Sequence, residues 1–382
     1  MKQSLVGKVI EIMAFIVFLG FIETSLSAEV TKSDAEKYAK TTEQALALAN
    51  GSLGLCYLYG NGVTKDEKKA VELFTEAAEQ GLAIAQACLG NCYEFGKGIT
   101  KDEKKAVEWY AKAAAQGNAI AQSNLGKCYQ LGIGVTKDEK KAVELYAKAA
   151  EQGYSSGQSN LGNCYASGAG VTKDEKKAVE LYTKAAAQGG ASGQVGLGIC
   201  YQNGSGVPTD EKKAVEWYAK AAAQGNAIAQ SNLGKCYEDG RGIQKDKKKA
   251  VELYIKAADQ GDSTAQLYLG LCYQYGNGIT KDEKKAVELF TKAVEQGLDS
   301  AQSWLGRCYE DGDGIPKDPK KAVELYVKAA EQGFSLAQFR LGKCYENGTG
   351  TPKDKKKAVE WYAKAAAQGD ESAKARLKAI GR

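Results

Sequence analysis

The stretch Leu89–Asn124 reads LGNCYEFGKGITKDEKKAVEWYAKAAAQGNAIAQSN, and Leu125 begins the same pattern again. Leucines that open the motif LGxCYxxGxG recur every 36 residues, with starts near 53, 89, 125, 161, 197, 233, 269, 305 and 341. A period held this strictly is typical of a solenoid of stacked supersecondary units. The repeat therefore predicts the architecture of nearly the whole chain.

The second half of each unit predicts one helix. Its start is marked by Asp102, an N-cap residue type, with Thr100 as the alternative that a capping box would use. Gly117 follows the Ala-rich last turn and is the predicted glycine that ends the helix in a left-handed conformation. An apolar stripe of helical period lies between these signals, at Ala106, Val107, Tyr110, Ala113 and Ala114.

The other helix of the unit runs from about residue 119 to about residue 129. Gly126 lies beside its apolar face, where the missing Cβ lets the paired helix come close. The pair Gly132-x-Gly134 then ends the helix and turns the chain. Neither helix can bury its stripe alone, so the pattern predicts an all-α fold, an α/α superhelical solenoid of 36-residue helix-turn-helix repeats. The face of this helix is carried by Ala121, Leu125, Cys128 and Tyr129.

The full motif LGxCYxxGxGV…KDxxKAVxWYxKAAxQGxxxAQ resembles the Sel1-like repeat, a helical-hairpin relative of the tetratricopeptide repeat, from about Asp34 to the C-terminus. The resemblance implies a right-handed superhelix whose first helices line a concave face. It also implies a non-catalytic scaffold for protein–protein interaction. These are expectations from the family, whereas the solenoid itself follows from the period.

The N-terminal segment 1–27 has the form of a secretory signal peptide. Lys2 and Lys8 precede the apolar run Ile12–Ile22, and small residues occur at Ser25 and Ser27. Eleven apolar residues are too few to span a bilayer, which needs about twenty. We therefore expect a secreted or periplasmic protein, with tethering by an uncleaved N-terminal anchor as the alternative.

Residues 28–382 are predicted to form one repeat array with a capping element at each end. Residues 28–52 are predicted to form an N-terminal capping partial repeat, because 29–44 look like a worn copy of the second helix. Nine repeats follow over residues 53–369, and residues 370–382 form a polar C-terminal capping helix. Two segments within the array, Asp102–Tyr129 and Asp210–Tyr237, are identical.

The amino-acid composition excludes several classes of catalytic and metal-binding site. The chain contains no histidine, which removes histidine-dependent triads, histidine metal sites and the usual pH switch. Its carboxylates recur in the KDEKK context of nearly every unit, as expected of a solvated face that includes Lys68, Lys69 and their copies. The formal net charge of +5 is spread along the chain and forms no basic stripe for nucleic acid. We expect no enzyme activity, no catalytic residue, no metal site and no cofactor.

The ten cysteines are the most suggestive residues for chemistry. Nine recur at the 36-residue period from Cys56 to Cys344, and Cys88 is the additional one. Equivalent cysteines in stacked units should lie roughly 10 Å apart, beyond disulfide reach. We interpret them as buried free thiols, with disulfides and metal binding as the less favoured alternatives. Some cysteine-rich secreted members of the family carry two cysteines per unit, and this chain departs from that pattern.

Candidate partner-binding residues are those where an aromatic, arginine or apolar residue replaces the small polar residue of sister units. Aromatic and arginine side chains are the usual anchors of protein interfaces. Trp304 and Phe339 could instead fill gaps between neighbouring units, and both interpretations stay open. The set is Tyr59, Phe95, Leu131, Tyr275, Trp304, Arg307, Phe339 and Arg340.

The resulting prediction is an exported monomer that binds a partner protein along the concave face, without nucleic acid and without a membrane span after signal removal. One alternative is a binder or hydrolase of cell-wall peptides or β-lactams, as suggested for some secreted family members. The chain has no Ser-x-x-Lys and no Lys-Thr-Gly, which argues against that chemistry. A further alternative is a lumenal quality-control adaptor, although the chain ends without a KDEL-like signal.

Overall fold

The computed structural model of the chain describes residues 32–380, which form nineteen helices and no strand. From α1 to α18 the helices alternate between one carrying Leu-Gly-x-Cys-Tyr, the first helix of a repeat, and one carrying Lys-Ala-Val, the second helix. The predicted signal peptide lies outside the described residues. The helices are α1 Lys32–Tyr59, α2 Glu67–Glu79, α3 Ala83–Phe95, α4 Glu103–Ala115, α5 Ala119–Leu131, α6 Glu139–Glu151, α7 Ser155–Ser167, α8 Glu175–Ala187, α9 Ala191–Asn203, α10 Glu211–Ala223, α11 Ala227–Asp239, α12 Lys247–Asp259, α13 Ser263–Tyr275, α14 Glu283–Glu295, α15 Asp299–Asp311, α16 Pro319–Glu331, α17 Ser335–Asn347, α18 Lys355–Ala367 and α19 Glu371–Ile380.

The chain divides into two compact units. Unit 1 contains the residues up to Leu197 together with Ser205–Val207, and unit 2 contains Gly198–Gly204 and the residues from Pro208 onward. In unit 1, α5 packs against α6 and α7, and α6 packs against α7. In unit 2, α12 packs between α11 and α13. Each unit is a stack of helix pairs in chain order, which confirms the predicted all-α solenoid.

The second helices begin and end where the sequence predicts. The Oδ1 atom of Asp102 accepts a hydrogen bond from the backbone N–H of Lys105 at 3.0 Å, and the backbone of Asp102 is extended. The structure therefore selects Asp102 over Thr100 as the N-cap. After α4, Gly117 has φ +84°, a left-handed conformation that ends the helix at little steric cost for glycine.

The first and second helices of a repeat meet at a glycine and an aromatic ring. A methyl group placed on Gly126 of α5 would lie 2.8 Å from the ring of Tyr146 in α6 and 3.2 Å from the carbonyl oxygen of Ala142. No ordinary side chain fits at that distance, so the glycine allows the ring to be fully buried. Tyr146 is 1% exposed. This contact confirms the predicted close approach of the paired helices.

The Gly-x-Gly turn joins one repeat to the one before it. Gly132 adopts a left-handed conformation directly after α5, and its amide donates to the carbonyl of Cys128. Gly134 also has a positive φ, and a methyl group on it would lie 2.2 Å from the carbonyl oxygen of Glu103 in α4. The second glycine of the turn is thus required by contact with a neighbouring helix as well as by its own backbone.

The N-terminal helix continues without a turn between the part that resembles a second helix and the first helix that follows it. The structure shows one continuous helix, α1, where other repeats have a second helix, a turn and a first helix. Gly81, which follows α2 in a left-handed conformation, has Ala45 as its equivalent 36 residues earlier. Alanine is the strongest helix former, so the chain continues through this position. At the other end, Ala373 of α19 is buried and Leu377 packs against the last core cluster.

Replacing Gly134 with alanine is expected to destabilise the adjoining helices by at least about 3 kcal/mol, because strain and backbone overlap act together. Gly132→Ala is the matched control. It has the same sign of φ but no atom within 3.6 Å of the added methyl group, so about 1–2 kcal/mol is expected. Native-state hydrogen exchange of α4 and α5 measures both. Equal losses for the two variants would contradict the contact with Glu103.

Candidate partner-binding surface

One narrow face of each first helix lies outside the core. In α5 it carries Ile120, Asn124, Lys127 and Leu131, which are exposed or half-buried, while the opposite side is buried. Intervals of four, three and four residues place these side chains on one side of an α-helix. These four positions and their equivalents at 36-residue intervals are called the outer stripe.

In unit 1, three of the predicted residues form a row at the last position of the outer stripe. Tyr59, Phe95 and Leu131 end three successive first helices and are 65%, 53% and 61% exposed. The next repeat has Ser167 at the same position, so the row ends there. Large apolar side chains left this exposed in consecutive repeats are typical of an interaction surface.

In unit 2, the structure brings three predicted residues together. The rings of Tyr275 and Trp304 meet edge to face with centroids 6.3 Å apart. The guanidinium carbon of Arg307 lies 5.6 Å from the Tyr275 centroid and 5.8 Å from that of Trp304. Arg307 also donates to the Tyr275 hydroxyl and to Asp311, the latter at 3.3 Å. Tyr, Trp and Arg are the residues most enriched among interface hot spots.

The other two predicted residues make contacts inside the stack. Phe339 lies one position before the outer stripe, its ring centroid is 5.7 Å from that of fully buried Tyr362, and it packs against the last core cluster. Arg340 pairs with Glu310 of the preceding first helix at 3.3 Å. These contacts favour the gap-filling interpretation for Phe339. Trp304 also packs against a core cluster, the one around Leu305, and in addition belongs to the aromatic cluster on the outer stripe.

A buried polar network that was not predicted from the sequence links the helices. The hydroxyl of Tyr110 donates to Glu94 at 2.8 Å, and Lys127 of the next first helix pairs with the same carboxylate at 2.7 Å. Burial and the hydrogen bond to Glu94 raise the pKa of Tyr110 far above its ordinary value. A signal for this contact exists, because the acceptor lies sixteen residues before the tyrosine. Where Phe74 replaces the tyrosine, the residue sixteen positions earlier is Leu58. The signal is not uniform, because Phe290 has Gln274 at that distance and Tyr182 bonds Asn163, nineteen residues earlier.

A ladder of glutamine side chains was also missed. Gln122 of α5 is 5% exposed, its Oε1 accepts from Gln152 Nε2 at 2.7 Å, and its own amide donates to the carbonyl of Ala114 at 3.4 Å. Gln152 follows the second helix of its repeat, and Gln122 lies in the first turn of the first helix of the same repeat, thirty residues earlier. The hydrogen bond therefore joins the end of the repeat to its beginning. The same contact occurs at Gln116–Gln86, Gln188–Gln158, Gln260–Gln230, Gln296–Gln266 and Gln368–Gln338.

The lysines interpreted as a solvated face have a second role. Lys105 is exposed, yet its ammonium lies 5.4 Å from the ring centroid of Tyr93 in the preceding first helix. Lys141 lies 4.3 Å from that of Tyr129 in the same way. Cation–π contacts at exposed sites contribute about 0.5–1 kcal/mol each. The last lysine of each KDEKK-type segment therefore contacts the preceding first helix, whereas the lysine directly before it, such as Lys104, is exposed.

The periodic cysteines occupy the core positions that the sequence predicts. All ten are free thiols, and eight are buried; Cys56 and Cys88 are partly exposed. Burial raises the pKa of Cys128 to about 11, and that of Cys272 to about 12. These thiols are therefore protonated near neutral pH and pack as small apolar groups.

The described residues contain neither a metal site nor a membrane-spanning helix. Residues 32–380 contain no group of three or more His, Cys, Asp or Glu side chains placed to hold a metal ion. No helix among these residues is long and apolar enough to cross a membrane.

Stacked helix pairs with a variable outer stripe define a helical-repeat solenoid. The chain belongs to the Sel1 repeat family, whose model matches nine consecutive segments at residues 47–82, 83–118, 119–154, 155–190, 191–226, 227–262, 263–298, 299–334 and 335–370. These segments begin at the first helix, six residues before the leucines that mark the period (47 against 53). Proteins of this family are commonly non-catalytic scaffolds that bind other proteins.

Two solved structures are similar to the chain over most of its length. One is c5321, described as a protective antigen present in uropathogenic Escherichia coli strains and displaying an SLR fold. It is 36% identical, covers 92% of this chain and 82% of its own, and has a TM-score of 0.50. The other is a Sel1 repeat protein from Oxalobacter formigenes, 33% identical over 81% of this chain and 89% of its own, with a TM-score of 0.51. A search of curated proteins finds no match.

Lys127→Ala is expected to destabilise its repeat by about 1–2 kcal/mol, because it leaves Glu94 without its cation. The Glu94 side chain is 7% exposed. Lys235 lies in the identical copy of this segment but pairs with Glu238 and Asp239, which are 23% and 22% exposed. Lys235→Ala is the matched control and should cost less than about 1 kcal/mol. Hydrogen exchange of α3 and α11 compares the two, and a larger loss for Lys235→Ala would contradict the network.

Proposed function

We propose that the chain is an exported, non-catalytic scaffold that binds a partner protein through the outer stripe of its first helices, acting as a monomer. One observation carries this proposal. Apolar and aromatic side chains on the outer stripe are concentrated at a few repeats in each unit, whereas sister repeats hold Asn, Ser or Asp at the same positions. Packing does not require these residues, since the sister repeats fold without them.

The two concentrations have the composition of binding hot spots. Unit 1 presents Tyr59, Phe95 and Leu131 as a row, and unit 2 presents Tyr275 and Trp304 with Arg307 between them. Large rigid side chains bury much area with little loss of rotamer freedom. The resemblance to tetratricopeptide-like superhelices assigns this stripe to a concave face, and that assignment is part of the proposal.

Rigidity of the stack supports binding without a chemical step. The glutamine ladder, the tyrosine–glutamate bonds and the glycine–ring contacts tie each first helix to its neighbours. A surface that is ordered before binding loses little conformational entropy when the partner arrives. The N-cap aspartates, such as Asp102, and the buried Glu94 have partners in caps and ion pairs, and the chain contains no histidine. Nothing in this arrangement favours hydrolysis over binding.

Export is proposed from the N-terminal segment. Residues 1–27 have the charge, apolar run and small residues of a secretory signal. The similar protein from uropathogenic Escherichia coli is described as a protective antigen, a property that fits a protein accessible from outside the cell. Partners would then be envelope proteins or proteins of a host.

Affinity capture is expected to enrich a specific protein with the native chain and to lose it with Phe95→Ser, Tyr275→Asn and Trp304→Asn combined. Each substitution is the residue that a sister repeat carries at that position, at Ser167, Asn203 and Asn232, so the fold should tolerate it. Loss of these anchors should weaken binding at least about a hundredfold.

Glu108→Ala with Glu216→Ala is the matched control, because both residues are exposed on second helices. This control should retain the captured protein. If the two variants capture the same proteins as the native chain, then the outer stripe is not the binding surface. Circular dichroism melting checks that all chains fold equally well.

Expression in a bacterium is expected to yield a mature chain that begins at Ala28, measured as intact mass of the exported protein. Val17→Arg should prevent export, because a charge interrupts the apolar run Ile12–Ile22. A membrane-bound chain that retains Met1 would establish the uncleaved anchor instead.

A further inference from the structure

The glutamine ladder, in which each glutamine–glutamine bond is called a rung, is interrupted in the repeat of residues 299–334 of unit 2. The thirty-residue spacing of the ladder predicts a rung from Gln332 to Gln302. Instead, Nε2 of Gln302 donates to Asp299 in the first turn of α15, at 3.0 Å. Its Oε1 atom, which would accept from Gln332, is buried and has no hydrogen-bond partner among the described residues. This repeat therefore lacks the bond that joins its end to its beginning.

The side chain of Gln302 also lies further out than its counterparts. Gln302 is half-buried, whereas the glutamines at the same position in seven other repeats are 4–6% exposed. The displacement is therefore specific to this repeat. The seven buried counterparts are Gln86, Gln122, Gln158, Gln194, Gln230, Gln266 and Gln338.

The backbone at the start of α15 differs in the same repeat. The N–H of Ala301 donates to the carbonyl of Leu298 at 3.0 Å, a bond across three residues. In the next first helix, α17, the bond into this turn comes from the glutamine itself, Gln338 to Phe334 at 3.0 Å. Bonds across three residues have poorer geometry than the bonds of an α-helix. The helix α15 therefore begins with a weaker turn than α17.

Two residues of this repeat explain the difference. Asp299 stands where the other eight repeats have alanine or serine, and its carboxylate competes for the amide of Gln302. Val294 stands where the other repeats have alanine, and its side chain packs against the core cluster. In α17 the carbonyl of that alanine, Ala330, accepts from Gln338 at 3.1 Å. Because a charge-assisted bond is stronger than a bond between two amides, the carboxylate holds Gln302 away from the ladder.

The weakened turn lies beside the aromatic cluster of unit 2. Trp304 follows Gln302 by two residues in α15, and its ring centroid lies 6.3 Å from that of Tyr275. A buried carbonyl without a donor costs free energy, which it regains from water when the turn opens. Local opening of such a turn precedes unfolding of the rest of the unit. The turn that opens most readily is therefore the one that positions Trp304.

From the missing rung, the displaced glutamine and the short first turn, we infer that residues 299–303 form a joint in unit 2 that Asp299 keeps open. In the open state Gln302 bonds Asp299, and in the closed state it accepts from Gln332 as its counterparts do. The joint sets how firmly Trp304 is held when a partner binds. This last role rests on the proposed function, whereas the joint itself rests on the hydrogen bonds of the repeat.

Hydrogen exchange of the purified full chain tests the joint. Backbone amides of residues 301–304 should exchange at least about tenfold faster than their equivalents in α13 and α17. Val294→Ala combined with Asp299→Ser introduces the residues that sister repeats carry at both positions. This double variant should close the joint and slow exchange in the turn at least about fivefold. Glu295→Ala is the matched control, because it removes one exposed charge next to the joint and should leave exchange unchanged.

Two alanine variants separate a formed rung from a missing one. Gln338→Ala removes a formed rung, the bond from Gln368 at 2.8 Å, and should speed exchange in the first turn of α17 at least about tenfold. Gln302→Ala removes only the bond to Asp299, and it should change exchange in the first turn of α15 less than about threefold.

Fluorescence measures the effect of the joint on Trp304. Leucine occupies the positions of Trp109, Trp217 and Trp361 in sister repeats, so these three can be replaced by leucine to leave Trp304 as the single tryptophan. Acrylamide quenching of this chain should fall when the double variant closes the joint. The control variant should leave the quenching unchanged.

Equal exchange in α13, α15 and α17, or an unchanged rate in the double variant, would overturn the joint. Equal effects of the two alanine variants would overturn it as well. If exchange behaves as expected but the quenching of Trp304 is unchanged, then the role of the joint at the binding surface is rejected. None of these measurements uses a partner, so affinity capture decides the proposed function separately.

Discussion

The structure depends on the close contact between a glycine of each first helix and the aromatic ring of the following second helix. At Gly126 and Tyr146 the space that a Cβ would occupy lies 2.8 Å from the ring. Because the ring is then fully buried, it fills the core of the repeat together with the alanines around it and the buried leucine of the first helices, Leu161 in this cluster. The tyrosine hydroxyl needs a partner in this buried place, which the amide of Gln130 supplies at 2.8 Å.

This contact separates the residues that hold the stack from those free to vary. The glycine, the ring, the cysteine and the glutamine all point into the repeat, whereas the outer stripe is exposed or half-buried in most repeats. Side chains can therefore change there from Ser167 to Phe95 or from Asn232 to Trp304 without disturbing the helices. A solenoid of this kind gains a binding surface by substitutions on one face, while its stability is a sum of repeated contacts.

Local sequence signals were sufficient to predict a structural feature where a single residue determines the backbone conformation. Asp102 and Gly117 were predicted as the ends of α4 because a cap and a left-handed residue act within one turn. The missed features have their partners far away in sequence. The hydroxyl of Tyr110 bonds Glu94 sixteen residues earlier, and Gln152 bonds Gln122 thirty residues earlier. Residues 29–44 resembled a second helix by pattern, yet a single alanine at the turn position made α1 continuous.

The amino-acid sequence by itself determined the number of repeats, the two helices of each and the residues of the core, because a strict period and local propensities decide these. Only the tertiary structure decided which partners the surface side chains contact. Asp102–Tyr129 and Asp210–Tyr237 are identical, yet Lys127 pairs with Glu94 of the preceding helix while Lys235 pairs with Glu238 and Asp239 of its own. A lysine side chain takes the nearest carboxylate in space, and which one is nearest depends on neighbours outside the copied segment. The same reason brought Tyr275, Trp304 and Arg307 into one cluster and placed Phe339 against a buried ring.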